Sequence, residues 1–471
     1  MEEGLLLPDD AASIINAIDG QGHSTALNCS SIASSRKTMD TNVATYRLSG
    51  FRMSRLLALW TAALCGSAGA AVAAKPTKIF LHPASDVIVA GGHAFGSAGA
   101  YEKVRGTVEF QIDPNDPRSA VITDLNLAPR NADGLVSFDA DYMLLHPADL
   151  SKWNRQLVSE INNRGSLLLF LSFANSPFNN DPTSQADFGN GFFLNQGFAM
   201  AWVGWGADVL PGNNGLTLRV PAPLNPDGSP VTQRITIELA DEFSFREGGL
   251  DTCVPLSGSG GIKDYPAVLS SKANDELFVR PSDSPRPSAP PIPAGTLVPN
   301  AQWSFPDRDH LCVAGGFQTG MVYQLNYVAE DTRIMGLGYA AQREFASFLR
   351  QRAADDGGLR NPLATRGGVK TSILYGASQS GVYIRDYVYQ GFNEDLDGGR
   401  VFDAVHAHIS GAVKLGLNYR FGQVHPWSTE HRDRFIPQVT FPFNFGVRVN
   451  PLVALGIERG PLTDGILKRP A

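Results

Sequence analysis

The chain has 471 residues, of which 43% are hydrophobic and 18% charged. This composition excludes disorder throughout and is enough for a large buried core. A net charge of -7, without a block of lysines or arginines, argues against nucleic acid or an anionic membrane surface as a partner. A small-molecule substrate fits better.

The segment 53–74 has the order of parts typical of a secretory signal peptide. A basic start at Arg55 precedes the apolar stretch Leu56–Leu64, and small residues follow it. We predict that it is removed and that the protein is exported, to the periplasm or out of the cell, with no stable membrane span afterwards. An uncleaved anchor is disfavoured, because the second half of the segment is short and rich in Gly and Ala. Residues 1–52 are interpreted as a disordered extension or a mis-assigned start.

Residues 75–150 are predicted to form an antiparallel, β-rich N-terminal part. Apolar or alternating runs separated by turn clusters support this prediction. The runs are Lys78–Leu81, Thr107–Ile112, Ala120–Leu125 and Leu135–Leu145.

Residues 151–471 change to alternating strands and helices. Ser166–Phe173 and Ala199–Trp205 are predicted to be buried strands, with a short helix at Gly191–Gly197 between them. Apolar strands between helices indicate a parallel sheet that is covered on both faces. Farther along, we predict a helix from Gly336 to Asp356, and a strand from Val401 to Ile409.

The segment 208–331 interrupts this alternation as a long insertion with strand-like pieces of its own. Such an insertion forms either a lid or wall of a substrate site, or a passive surface elaboration. Once the signal is removed, Cys253 and Cys312 are the cysteines left in the chain. They are a candidate disulfide in an oxidising compartment, and two free buried thiols are the equally weighted alternative.

The most informative motif is the segment Thr371–Gly381, in which an apolar strand leads into a serine and then a helix. Ser378 has Gly376 before it and Ser380 after it. A nucleophile elbow needs small residues at these positions, because its serine sits in a strained, tight turn. We therefore predict that Ser378 is a nucleophile. The alternative is that it is an ordinary small residue in a tight strand–helix turn.

Several motifs together make the chain, from residue 75 onward, resemble a largely bacterial family of alpha/beta hydrolase domain proteins. They are Asn163–Gly165, Gly197–Trp205, Gly336–Glu344, Gly376–Gly381 with Arg385 and Asp386, Gln390–Asn393 and His408–Ala412. The resemblance implies an α/β fold with a mostly parallel sheet of the α/β-hydrolase type. It also implies hydrolysis of a small-molecule ester.

In this chemistry the serine attacks an acyl carbonyl, and a histidine oriented by an acid accepts its proton. The backbone N–H of Gln379 is the first expected donor to the oxyanion, since it follows the nucleophile at a helix N-terminus. The loop after the third strand supplies the second. That loop is Ser172–Ser176 if Leu167–Phe173 is the strand, or Asn162–Gly165, with Gly165 as the candidate donor, if an earlier strand is.

The acid and the histidine are harder to place. About 60 residues follow Ile409, whereas each further strand–helix–strand unit takes about 30 or more. We therefore expect the C-terminal strands that carry the acid and the base to be missing. His408 is left as the candidate base, although its position favours a structural role; His425 and His431 are weaker substitutes. Asp386 and Asp403 are expected to form surface ion pairs.

Two hypotheses about function follow from the incomplete triad. The chain is a serine-dependent carboxylic ester hydrolase, or it is a non-catalytic, truncated homologue or binding module that keeps the elbow. A sheet that ends early leaves an uncovered edge, which favours self-association. No cofactor is expected. His406 and His408 alternate on a strand without a third ligand, which does not support a metal site.

Overall fold

The computed structural model of the chain describes residues 76–209, 212–240, 252–256, 265–281, 295–318, 320–365, 367–411 and 413–424, and two short strands at 448–449 and 458–459. The predicted extension 1–52, the predicted signal 53–74 and the two histidines His425 and His431 lie outside the described residues. None of the helices described is both long enough and apolar enough to cross a membrane.

Strands dominate the described residues. In chain order they are β1 (Lys78–Ile88), β2 (Tyr101–Ile112), β3 (Val136–Pro147), β4 (Gln156–Glu160), β5 (Ala199–Val203), β6 (Leu218–Arg219), β7 (Gln233–Ala240), β8 (Cys253–Pro255), β9 (Glu276–Pro281), β10 (Thr296–Val298), β11 (Trp303–Asp307), β12 (His310–Val313), β13 (Met321–Ala329), β14 (Thr371–Ala377), β15 (Ala404–His408), β16 (Arg448–Val449) and β17 (Glu458–Arg459).

The helices are fewer and mostly short. The α-helices are α1 (Leu169–Ala174), α2 (Phe192–Asn195), α3 (Leu337–Gln351) and α4 (Gln379–Tyr389). Single 3-10 turns lie at Ala90–Gly92, Leu125–Leu127, Leu150–Lys152, Gln185–Phe188, Leu269–Asn274, Asn300–Gln302 and Pro362–Ala364.

The main sheet has the strand order β1-β2-β3-β5-β4-β14-β15, with β6 added beside β3. Strands β1, β2, β3 and β5 pair antiparallel along this path, whereas β5, β4, β14 and β15 run parallel. The protein thus has an α/β fold, but the expectation of a mostly parallel sheet is wrong. The sheet is parallel only where helical segments connect its strands, since parallel neighbours need a crossover.

Helices cover both faces of the parallel half. One face packs against α3 and α4, in a core that includes Leu374, Phe345 and Tyr383. The other packs against α1 and α2, in a core that includes Phe170 and Trp202. The successive residues of each strand point to opposite faces, so each strand contributes to both cores.

The segment Ser166–Phe173, predicted as a strand, forms helix α1 instead. Its continuous apolar run fits either structure, so periodicity alone does not separate them. The carboxylate of Glu160 accepts the N–H of Leu168 at 2.7 Å, at the start of α1. Phe170 is buried, whereas the neighbouring Leu171 is 41% exposed. The strand that enters the sheet here is the preceding β4.

A second prediction fails in the N-terminal part. The run Ala120–Leu125, expected as a strand, lies in turns that lead into a 3-10 turn at Leu125–Leu127. Backbone hydrogen bonds between residues three apart stabilise these turns; for example, the N–H of Ile122 donates to the carbonyl of Ser119 at 2.9 Å. Ile122 and Leu125 are nevertheless buried, so their apolar character reflects packing and not strand pairing.

The insertion carries two small antiparallel sheets, ordered β10-β9-β13-β7 and β11-β12-β8. They share a core of their own, centred on residues such as Leu277, Trp303 and Leu325. A disulfide joins Cys253 on β8 to Cys312 on β12, which are directly opposed in the ladder. The insertion thus has its own apolar core and a covalent cross-link.

β15 is the last strand on the path of the main sheet, and among the described residues no strand pairs with its outer edge. Val405 and Ile409 on and beside this strand are 40% and 70% exposed. The expected absence of further C-terminal strands concerns residues after 424, most of which lie outside the described residues, and it stays a prediction.

Candidate active site

Ser378 lies at the turn between β14 and α4, at the C-terminal edge of the parallel strands. Its backbone has φ 60° and ψ −122°, a region that residues with a side chain rarely adopt. Such strain persists only where the surrounding structure enforces it, and it is common at functional sites. Its side chain is partly exposed, and its N–H donates to the carbonyl of His408 at 3.0 Å.

The small residues around Ser378 are required by close backbone contacts. A Cβ atom at Gly376 would lie 2.9 Å from the backbone of Ser380, and one at Gly381 only 2.6 Å from the carbonyl oxygen of His408. Both distances are shorter than van der Waals contact. The strand, the helix and β15 therefore come together at a point where only glycine fits.

The loop after β4 borders the elbow, because β4 is a parallel neighbour of β14. The side-chain amide of Asn163 donates to the carbonyl of Ala377 at 3.2 Å. The carbonyl of Asn162 accepts from Ser380 Oγ at 3.1 Å and from Trp205 Nε1 at 2.6 Å. Of the two expected oxyanion loops, the one that begins at Asn162 is therefore the one that follows a strand of the sheet.

The backbone donors of this loop are largely used within it. The N–H of Gly165 donates to Asn162 Oδ1 at 3.0 Å, and Asn163 and Ser166 exchange backbone hydrogen bonds of 2.7 and 2.9 Å. In this arrangement the Gly165 N–H is bonded to the Asn162 side chain. The role of Gly165 as the second oxyanion donor stays a prediction.

A row of side chains, of which His406 is half-buried and the others are buried, crosses the sheet just below the elbow. Trp202, Glu160, Tyr375 and His406 are successive cross-strand partners on β5, β4, β14 and β15, so they point to the same face. Glu160 is fully buried, and it accepts hydrogen bonds from Trp202 Nε1 at 2.5 Å and from the N–H of Leu168. Burial raises the pKa of Glu160 to about 7.

Sequence reasoning missed Glu160 altogether. The signal that was available is an acidic residue at the end of a short strand, seven residues before the apolar run that begins at Leu167. This signal did not identify Glu160, because its burial depends on helix α1, which the sequence did not predict.

The two histidines of β15 lie beside the elbow strand. His406 is opposite Tyr375, and His408 is opposite Ala377, so both rings occupy the face that α1 covers. The ring centroids of Tyr375 and His406 are 5.6 Å apart, and those of His406 and His408 are 5.7 Å apart. Among the residues described, no group of three or more His, Cys, Asp or Glu is placed to hold a metal ion.

Both acids near the elbow in sequence have local structural contacts. Asp386 is buried, so its expected surface position is wrong; its carboxylate accepts the N–H of Leu415 at 2.5 Å, and burial raises its pKa to about 6. Asp403 accepts from the N–H of Ser372 and pairs with Arg350 at 3.1 Å. Both carboxylates thus fix chain segments that flank β15.

Charged groups of both signs, Asp208, Arg164 and Arg333, lie at the loop after β4. Burial raises the pKa of Asp208 to about 6, and the nearby guanidinium groups of Arg333 and Arg164 act in the opposite direction. Burial also lowers the pKa of Arg164 to about 10. Arg164 itself has φ 52°, so the loop beside the elbow has a strained backbone as well.

One family model matches this part of the chain. Residues 313–443 match the model described as alpha/beta hydrolase domain, and the match includes β14, Ser378, α4 and β15. The resemblance to alpha/beta hydrolase domain proteins is thereby confirmed over residues 313–443. No curated protein and no solved structure matches the chain.

Proposed function

We propose that the protein is a serine-dependent carboxylic ester hydrolase with Ser378 as its nucleophile. The observation that carries this proposal is the strained backbone of Ser378 between a strand and a helix, at contacts that only glycine tolerates. A serine in this geometry presents its hydroxyl at the edge of the sheet, where a substrate can approach.

The proposed reaction has two steps. Ser378 Oγ attacks the ester carbonyl and loses its proton to a base, and the alcohol leaves with a proton as the acyl-enzyme forms. Water then attacks the acyl-enzyme, releases the carboxylic acid and restores the serine. The N–H of Gln379, at the positive N-terminal end of α4, is the proposed donor to the oxyanion in both steps.

For the base we propose His408. β15 holds it beside the elbow, with its carbonyl bonded to the Ser378 N–H. The proposed substrate is a small or medium carboxylic ester, and the reaction needs no cofactor. We further propose that the protein works outside the cytoplasm, on the strength of the signal-like segment 53–74. Self-association through β15 is a separate proposal, supported by the exposed Val405 and Ile409.

Turnover of p-nitrophenyl esters tests the proposed function. We expect Ser378→Ala to lower kcat/KM for the acetate ester by at least about a thousandfold, because nucleophile removal in serine hydrolases costs this much or more. Ser304→Ala is the matched control, since Ser304 is exposed on β11 in the insertion. No turnover by the parent above the uncatalysed rate would instead favour the non-catalytic homologue, and equal turnover by the parent and Ser378→Ala would exclude Ser378 as the nucleophile.

A further inference from the structure

The segment that follows β15 connects the main core to the core of the insertion. Leu415 and Leu417 pack in the core beneath α3 and α4, Phe421 packs in the core of the insertion, and Val424 returns to the first core. All four side chains are buried. We call its last part, Phe421–Val424, the strap.

Two side-chain hydrogen bonds fasten the strap to the insertion. The hydroxyl of Tyr265 donates to the carbonyl of Gly422 at 2.7 Å. Gln423 Nε2 donates to the carbonyl of Thr236, on β7, at 3.1 Å. Together with the buried ring of Phe421, these bonds hold the strap against the insertion.

The next residue of the strap is bonded to the elbow. Gln379 Nε2 donates to the carbonyl of Val424 at 2.6 Å, and Gln379 directly follows Ser378 in the chain. Two consecutive strap residues, Gln423 and Val424, thus bind the insertion on one side and the neighbour of the nucleophile on the other. The Gln379 side chain is therefore one link that holds the insertion relative to Ser378.

We propose that Gln379 is a specificity-determining residue, whose side chain holds the insertion as a fixed wall beside Ser378 and so limits the size of the acyl group. The inference rests on the proposed ester hydrolysis. A carbonyl left without its hydrogen-bond donor in a buried position costs free energy. Loss of the Gln379 amide therefore destabilises the bound position of the strap at Val424. A looser wall admits acyl groups that the parent excludes.

The test uses one variant at each end of the strap. Gln379→Leu removes the bond to Val424 and keeps the side-chain volume, and Gln423→Ala removes the bond to Thr236. We expect kcat/KM for p-nitrophenyl octanoate relative to acetate to rise at least about fivefold in each. In the double variant, the rise in this ratio should be smaller than the product of the two single rises, because both substitutions act through one strap. The control is Gln302→Ala, at an exposed glutamine of the insertion.

The outcomes separate this inference from the proposed function. A parent that hydrolyses no ester overturns the proposed function itself. An active parent whose octanoate-to-acetate ratio stays within about twofold in Gln379→Leu and Gln423→Ala overturns only the role of Gln379. A ratio that changes in Gln379→Leu alone also overturns it, since Gln379 would then act on the nucleophile and not through the strap. Amide exchange in β7 should be faster in both variants, and unchanged exchange contradicts the strap.

Discussion

The sheet around Ser378 and the insertion differ in what holds them together. At the elbow, the tight contact of Gly376 is with Ser380, four residues later, and β15 adds the contact of Gly381 with His408. In the insertion, partners distant in sequence do so: the disulfide joins residues 59 apart, and Arg280 forms a buried ion pair with Glu238 at 3.2 Å. The proposed chemistry thus depends mainly on a motif that is local in sequence, whereas the insertion depends on long-range pairing.

Loss of the disulfide should produce the largest effect in this comparison. Cys253→Ser with Cys312→Ser should lower the free energy of unfolding by about 2–4 kcal/mol, because the cross-link restricts a long loop in the unfolded chain. Urea denaturation followed by circular dichroism measures this. Reduction of the parent should have the same effect, and a variant as stable as the oxidised parent would show that the insertion does not depend on the bond.

A methyl group at the elbow should have a smaller effect on stability. Gly381→Ala places a Cβ atom 2.6 Å from the carbonyl oxygen of His408, and such overpacking costs about 1–3 kcal/mol. The control is Gly357→Ala, where the nearest atom to the new Cβ is 3.4 Å away. Equal melting temperatures for the two variants would mean that the elbow is not sterically constrained.

Glu160 should make the smallest contribution, visible as a dependence on pH. Burial raises its pKa from an ordinary value of 4.5 to about 7. The folded state therefore binds the proton more tightly, and the resulting stabilisation is complete below pH 4.5 and is lost as the pH rises through 7. Over the pH unit just below 7, removal of this carboxyl in Glu160→Gln should flatten the fall in unfolding free energy by about 1 kcal/mol.

Urea denaturation at several pH values measures the slope in parent and variant. Asp208 and Asp386 also have raised pKa values and remain in both proteins, so the difference between the slopes isolates Glu160. Identical slopes would show that Glu160 does not titrate as a buried acid in this range.

The elbow could be predicted from sequence because the residues that identify it lie within the segment Thr371–Gly381. Strand β14, the small residues and helix α4 are each readable from local pattern, and the structure has all three at the predicted place. The surroundings of the elbow were harder to predict. Helix α1 was predicted to be a strand, because an apolar run alone fits both structures. The N–H group at the start of the helix donates to Glu160, eight residues earlier, and the apolar run does not reveal that contact.

The donors around the oxyanion show the same limit. Two loops remained open from the sequence, and the pairing of β4 with β14 favours the one that begins at Asn162. That Gly165 donates its N–H to Asn162 depends on a side-chain rotamer, which no pattern of residue types encodes. Likewise, the strap joins Gln379 to a residue 45 positions later, and neither residue carries a motif for that contact.

Covalent labelling tests the central claim, that Ser378 is an activated nucleophile, most directly. The intact chain is treated with a fluorophosphonate probe and then examined by mass spectrometry, intact and after digestion. We predict one adduct, located on Ser378, which is absent from Ser378→Ala and retained in Ser304→Ala. No adduct on the parent, or an adduct on another serine, would contradict the claim.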